Sequence, residues 1–211
     1  MTPKQLSYAA TAESIIKKLN LRHMEGHYFN TKEEALEAIL KIIPEGATVA
    51  NGGSVSIDEI GLLPAIKSGN YNYIDRYAPK TDEERKECFS KTVAADYYLM
   101  STNAITLDGQ LVNIDGAANR VACLAHGPEN VIVVAGMNKV TKTVDDAINR
   151  VHTVACPANT VRLNLDTPCA KSGVCADCLS DACICCEILI TRNSRIPGRI
   201  KVFLVGEELG F

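Results

Sequence analysis

No apolar run in the 211 residues approaches the length that would cross a bilayer. Basic charge is not in excess either. Lys and Arg number 22 against 25 Asp and Glu, a formal charge of -3 that gives no sign of a nucleic-acid-binding face. The start, Met1-Thr-Pro-Lys-Gln5, lacks the basic-then-apolar order of a secretory signal, so the expectation is a cytoplasmic protein. Histidine is scarce, with four in the chain; His23 and His27 stand apart from any matching ligand cluster and read as surface or core residues. No Ser-His-Asp spacing suggests a hydrolytic triad, and neither a Walker loop nor a dinucleotide fingerprint is present.

What is there is an ordinary globular composition, 46% hydrophobic, and a length that fits one domain over residues 1–211. Residues 1–45 read as an N-terminal pair of helices. The first spans Pro3 to Asn20, with Leu6, Ala9, Ala10, Ile15, Ile16 and Leu19 on one face. The second opens at the capping box Thr31-x-x-Glu34 and breaks at Pro44-Glu45-Gly46. Thr48 to Ala50 then makes a short strand that runs into Asn51-Gly52-Gly53-Ser54, with Ser56-x-x-Glu59 capping the helix beyond. Strand, glycines, hydroxyls and helix start together suit a phosphate or carboxylate, and a bare tight turn is the alternative.

Further on, Tyr71 to Tyr77 reads as a strand, Thr81-x-x-Glu84 opens a charged helix, and Asp96 to Ser101 is a strand leading to the central feature of the chain. There Ala104 to Leu107 and Gln110 to Ile114 flank Asp108-Gly109, the turn signature of a β-hairpin. Asn113, Asp115, Asn119 and Arg120 cluster where the hairpin hands over to a helix, with Asn119 as its expected N-cap. A guanidinium beside a helix start suits an anion. Asp115 and Asn119 alternatively serve only the backbone of turn and cap. The helix stops at Gly127-Pro128. Asn130 to Ala135 follows without polar alternation, as a strand covered on both faces does. It ends in Gly136-Met137-Asn138-Lys139, where Asn138 and Lys139 fall at the carboxyl end of a strand, the place where open α/β sheets bind ligands. Asp145 and Asp146 open a helix expected to end at Cys156-Pro157, and Ile188 to Thr191 and Arg199 to Val205 read as closing strands. The strand–helix alternation predicts an α/β sandwich.

Nine cysteines without an export signal point to metal ligands or reduced core thiols rather than disulfides. Cys88, Cys123 and Cys156 are scattered and read as structural. Residues 167–187 form a Cys-rich insertion holding Cys169, Cys175, Cys178, Cys183, Cys185 and Cys186. Four of these six suffice to ligate a zinc ion or an iron–sulfur cluster, with Cys175-x-x-Cys178 as the clearest pair. A reduced, redox-labile loop is the alternative.

The Asn51-Gly-Gly-Ser54 turn, the Asn103 to Asn113 hairpin, Asn119-Arg120, His126-Gly-Pro128, Gly136-x-Asn-Lys139 and Leu209-Gly-Phe211 together resemble the LUD-domain family, named for lactate utilisation, in its stand-alone cysteine-rich form. The resemblance implies a Rossmann-like α/β/α sandwich of the NagB/RpiA/CoA-transferase-like type, with a mostly parallel sheet. It also implies a role in lactate or related 2-hydroxy acid metabolism beside iron–sulfur oxidoreductase partners; assembly with further copies of the chain is an added expectation. The expected ligand is a small anionic metabolite or cofactor, held by Gly52, Gly53, Ser54, Asn103, Asn113, Asp115, Asn119, Arg120, Asn138 and Lys139. Arg120 is ranked above Lys139 because a guanidinium binds a carboxylate through two parallel bonds. The alternative is an independent transferase or isomerase acting on a phosphorylated sugar or CoA-linked substrate, with Glu59 or Asp115 as base.

Overall fold

The computed structural model describes residues 1–211. In chain order the first half runs α1 (Pro3–Leu21), β1 (Glu25–Phe29), α2 (Lys32–Ile42), β2 (Thr48–Asn51), α3 (Val55–Glu59), α4 (Leu62–Ser68), β3 (Asn72–Tyr73), α5 (Asp82–Val93) and β4 (Tyr97–Ser101). It continues through β5 (Ala104–Thr106), β6 (Leu111–Asp115), α6 (Asn119–Ala125), β7 (Asn130–Gly136), β8 (Val140–Thr141), α7 (Val144–Arg150), α8 (Cys156–Arg162), α9 (Pro168–Ser172), β9 (Glu187–Thr191) and β10 (Ile200–Val205). No helix is long and apolar enough to cross a membrane.

Six strands form the main sheet in the order β1-β10-β7-β4-β2-β3, every neighbouring pair parallel. The unalternating apolar run of β7 is explained by its place inside this sheet. Val131 and Val133 pack with Ile15, Leu19, Met100 and Val202 on one face. Ile132 and Val134 pack with Ile39, Ile57, Ile66 and Phe203 on the other. Burial on both faces removes any need for polar positions. Helices cover each face, so the chain is an α/β/α sandwich of Rossmann-like layout.

The expected hairpin is present. β5 and β6 pair antiparallel and extend into a second sheet, β8-β5-β6-β9, mounted where the strands of the main sheet end. The two closing strands thus part company: β10 enters the main sheet between β1 and β7, while β9 pairs with β6. Thr81 makes the full capping box with Glu84, whereas at Thr31 the returning Glu34 carboxylate accepts from Asn30 N–H instead.

Four local expectations are corrected. Strand Tyr71–Tyr77 shrinks to Asn72–Tyr73. Ser56 is not the cap of α3; Ser54 caps it by accepting from Ile57 N–H, while Ser56 is fully buried. Ala118, with φ 59°, precedes α6 in place of Asn119. Finally, Cys156-Pro157 does not end a helix. A π-helical turn over Val151–Ala155 joins α7 to α8, and Pro157 falls in the first turn of α8, where its missing N–H is tolerated.

Candidate functional site

β2, β4 and β7 lie side by side in the sheet order, and their carboxyl ends open into the segments that the sequence marks. A cavity of about 400 Å³ lies there. Gly53 and Ser54 after β2, Asn103 after β4, Asp115 at the end of β6, Asn119 and Arg120 at the start of α6, and Lys139 after β7 all line it. Gly52, Asn113, Asn138 and Glu59 do not, and each has a supporting position. A Cβ on Gly52 would fall 2.8 Å from the Tyr98 hydroxyl and 3.0 Å from Cγ of Arg120, so only glycine lets the β2 end approach that closely. Asn138 Oδ1 accepts from Leu209 N–H at 3.1 Å, and a carboxylate oxygen of Glu59 accepts from Gly210 N–H at 2.7 Å. Both hold the Leu209–Phe211 tail in place, and Phe211 lines the cavity.

Arg120 is buried, and its fork is spent inside the protein. One terminal nitrogen donates to Asn113 Oδ1 and Ser101 carbonyl; the other donates to Asn103 Oδ1 and Ile114 carbonyl, both at 2.8 Å. Asp115 completes the arrangement: one oxygen accepts from the backbone N–H groups of Arg120 and Val121, so a carboxylate caps α6 in place of the side chain expected of Asn119. Arg120 and Asp115 tie hairpin to helix. The same network leaves Nδ2 of Asn113 buried without an acceptor.

Lys139 also lines the cavity. It is 4% exposed, and its amine donates to Ser56 Oγ at 2.9 Å and Ser101 Oγ at 3.0 Å, with no carboxylate in ion-pair reach. Burial first, then the charges of Arg150 and Arg120, bring its pKa down to about 7. Arg150 stands behind it, donating to the carbonyls of Asn138 and Asn103 and so linking the turn after β7 to the end of β4. The rim adds a residue that sequence reasoning missed. Arg76 sits in an irregular stretch after β3, its guanidinium over the Tyr77 ring and beside Gly53, with neither hydrogen bond nor ion pair to the protein. No periodicity or motif marks it. Asp58, across the cavity, has its carboxyl pushed up by burial.

The cysteine loop packs against one side of this site. A second, smaller cavity of about 90 Å³ is lined by Cys156, Cys169, Cys175, Cys178, Cys183 and Cys185. Cys186 is exposed and outside it. Cys156, read as a structural residue from its isolation in sequence, is in fact in the cluster: the Cys185 thiol donates to its sulfur across 3.1 Å. That contact and burial push the Cys185 thiol well up. Cys156 and Ile184 line both cavities. No three His, Cys, Asp or Glu side chains are set as ligands of one ion.

A DUF162 family protein from Deinococcus radiodurans has a similar crystal structure, with a TM-score of 0.55 and 15% identity over 94% of this chain and 98% of that one. eIF2B delta from Chaetomium thermophilum gives a TM-score of 0.38 and 22% identity over 56% of this chain and 50% of its own. No curated protein matches. The sequence model of the LUD domain matches residues 12–205, nearly the whole chain, and the protein therefore belongs to the LUD-domain family.

Proposed function

We propose that the protein acts in lactate or related 2-hydroxy acid utilisation, binding a small organic anion in the strand-end cavity and holding a metal at its cysteine loop. Family membership supports an association with lactate utilisation. The observation that carries the anion reading is the amine of Lys139, buried against the cavity with only hydroxyl partners. A buried ammonium without a counter-ion is costly, which is why its pKa is depressed. A carboxylate brought beside it restores the charge and is stabilised in turn. Arg76 at the rim supplies a second, unengaged cation with a fork suited to a planar acid. This division of labour reverses the ranking of Arg120 over Lys139 that the sequence suggests.

Titration calorimetry with lactate, pyruvate, sugar phosphates and CoA on wild type, Lys139→Met and Arg76→Ala protein tests the reading. A lost charge-assisted bond is worth about 1.5–3 kcal/mol, so each substitution should weaken the preferred anion by roughly ten- to a hundredfold. Unchanged affinity in Lys139→Met would reject the site. One observation favours a second reading, an enzyme acting on a phosphorylated sugar or CoA-linked substrate: a cavity of about 400 Å³ exceeds what a three-carbon acid fills. Saturable binding of CoA or a sugar phosphate, with none of lactate or pyruvate, would select it.

A further inference from the structure

We propose that Cys156 of α8 and Cys185 of the loop are a reversible disulfide pair, closed by a peroxide that reaches them through the larger cavity. This goes beyond the reading above and depends neither on the anion bound there nor on a metal at other cysteines of the loop. Its basis is the 3.1 Å contact in which the Cys185 thiol donates to the Cys156 sulfur. Both are free thiols in this structure. A disulfide bond is about 2.05 Å long, so the two sulfurs need to close by only about 1 Å.

The fold imposes this contact, since the two cysteines stand 29 positions apart in the chain. Cys156 is fixed in the first turn of α8, where it packs with Ile114 and Val151, and Cys185 packs against that same cluster. From the other side, Cys186 N–H donates to the Asp115 carbonyl at 3.0 Å just where β9 begins to pair with β6. Cys185 itself lies between α9 and β9, in no helix or strand, so moving the last ångström breaks no secondary structure. Cys169 is turned to other use, its sulfur against the hydroxyls of Thr167 and Thr160. Cys156 lines both cavities and Cys185 the smaller one, which gives a small oxidant a route to the pair. The Cys156 sulfur, its proton lost, attacks one oxygen of hydrogen peroxide; the O–O bond breaks, the departing hydroxide takes up that proton, and Cys156 is left as a sulfenic acid. Cys185 then attacks the oxidised sulfur, and the hydroxyl leaves as water with the Cys185 proton. Two electrons pass from the thiols to the peroxide, which ends as two waters. The product clips the cysteine loop onto the wall of the Lys139 cavity.

The test is full-length protein, purified in the reduced state, treated with equimolar hydrogen peroxide, blocked with iodoacetamide and digested with trypsin without reductant. Mass spectrometry should find the peptides of residues 151–162 and 172–192 joined, and dithiothreitol should part them. The second peptide holds Cys175, Cys178, Cys183, Cys185 and Cys186, so its fragments should place the bond at Cys185. Cys156→Ser and Cys185→Ser should each abolish the linkage, whereas Cys88→Ser, in α5 and outside the thiol cavity, should keep it. Oxidised wild type with no peptide joined to Cys156 would overturn the proposal, and that measurement stands even if a variant fails to fold. Full linkage of the two peptides in Cys185→Ser would overturn it as well, because another thiol would then be the partner. Iron and zinc measured on the same samples decide the metal reading separately.

Discussion

The amine of Lys139 donates to the hydroxyl of Ser101 across 3.0 Å, joining the turn after β7 to the last residue of β4. A second bond to Ser56 brings in α3. Three strand-end segments thus meet at one nitrogen whose charge the protein holds near its switching point.

A pH dependence follows from that nitrogen. In the unfolded chain lysine titrates near 10.4, and in the folded one Lys139 titrates at about 7. Between those values the unfolded state binds more protons, so this group makes stability rise with pH across that window, by up to about 1.4 kcal/mol per pH unit. Its penalty is complete below pH 7 and absent above the unfolded value. Urea midpoints of wild type against Lys139→Met from pH 6 to 9.5 should show a steeper rise for wild type; parallel curves would contradict the depressed pKa. A bound carboxylate favours the ammonium, so its affinity should fall as pH climbs past 7.

Arg120 gives the opposite kind of result. Replacing it by Ala leaves Asn113, Asn103 and two buried carbonyls without their donor. A buried acceptor left unsatisfied costs about 1–3 kcal/mol, a loss that chemical denaturation would read directly. Arg120→Lys should recover little, since one ammonium cannot reach both sides of the network. Wild-type stability in Arg120→Ala would show that the network contributes nothing.

Asp115 caps α6 through one carboxylate oxygen. Asp115→Ala exposes the first N–H groups of α6 without an acceptor and should lower stability by about 1 kcal/mol. Asp115→Asn keeps one acceptor oxygen and should fall between the two. An activity loss in Asp115→Asn with unaltered melting temperature would speak for a chemical role instead.

Gly52→Ala should be more damaging than its size suggests. The new methyl meets the Tyr98 hydroxyl and the Arg120 stem, neither of which is free to retreat, because Tyr98 is buried and Arg120 is bonded at its far end. Overpacking of this sort costs about 1–3 kcal/mol, measurable as a lower thermal midpoint. The same change at Gly53, where the nearest atom is an Arg76 nitrogen at 3.6 Å, should be mild.

Periodicity and turn chemistry were enough to read most of the elements from the chain. The capping residues at Thr31 and Thr81, the Asp108-Gly109 hairpin, the stop at Gly127-Pro128 and the two-faced strand at Asn130 to Ala135 all act within a few residues of themselves, so local sequence determines them. The convergence of Ser54 and Lys139 on one cavity follows from a parallel sheet, which places all strand ends of one direction on one edge, whereas the Asp115–Arg120 cluster is brought there by β6 of the second sheet. What each cation does there was settled only by packing. Arg120 and Lys139 look alike as charges in the sequence, yet one finds four acceptors contributed by β4, β6 and the Asn103 turn, and the other finds two hydroxyls and a cavity. Arg76 and Cys156 were invisible for the same reason. Neither belongs to a local pattern, and each acquires its neighbours only when segments far apart in the chain close on each other, Gly53 beside Arg76 and Cys185 beside Cys156.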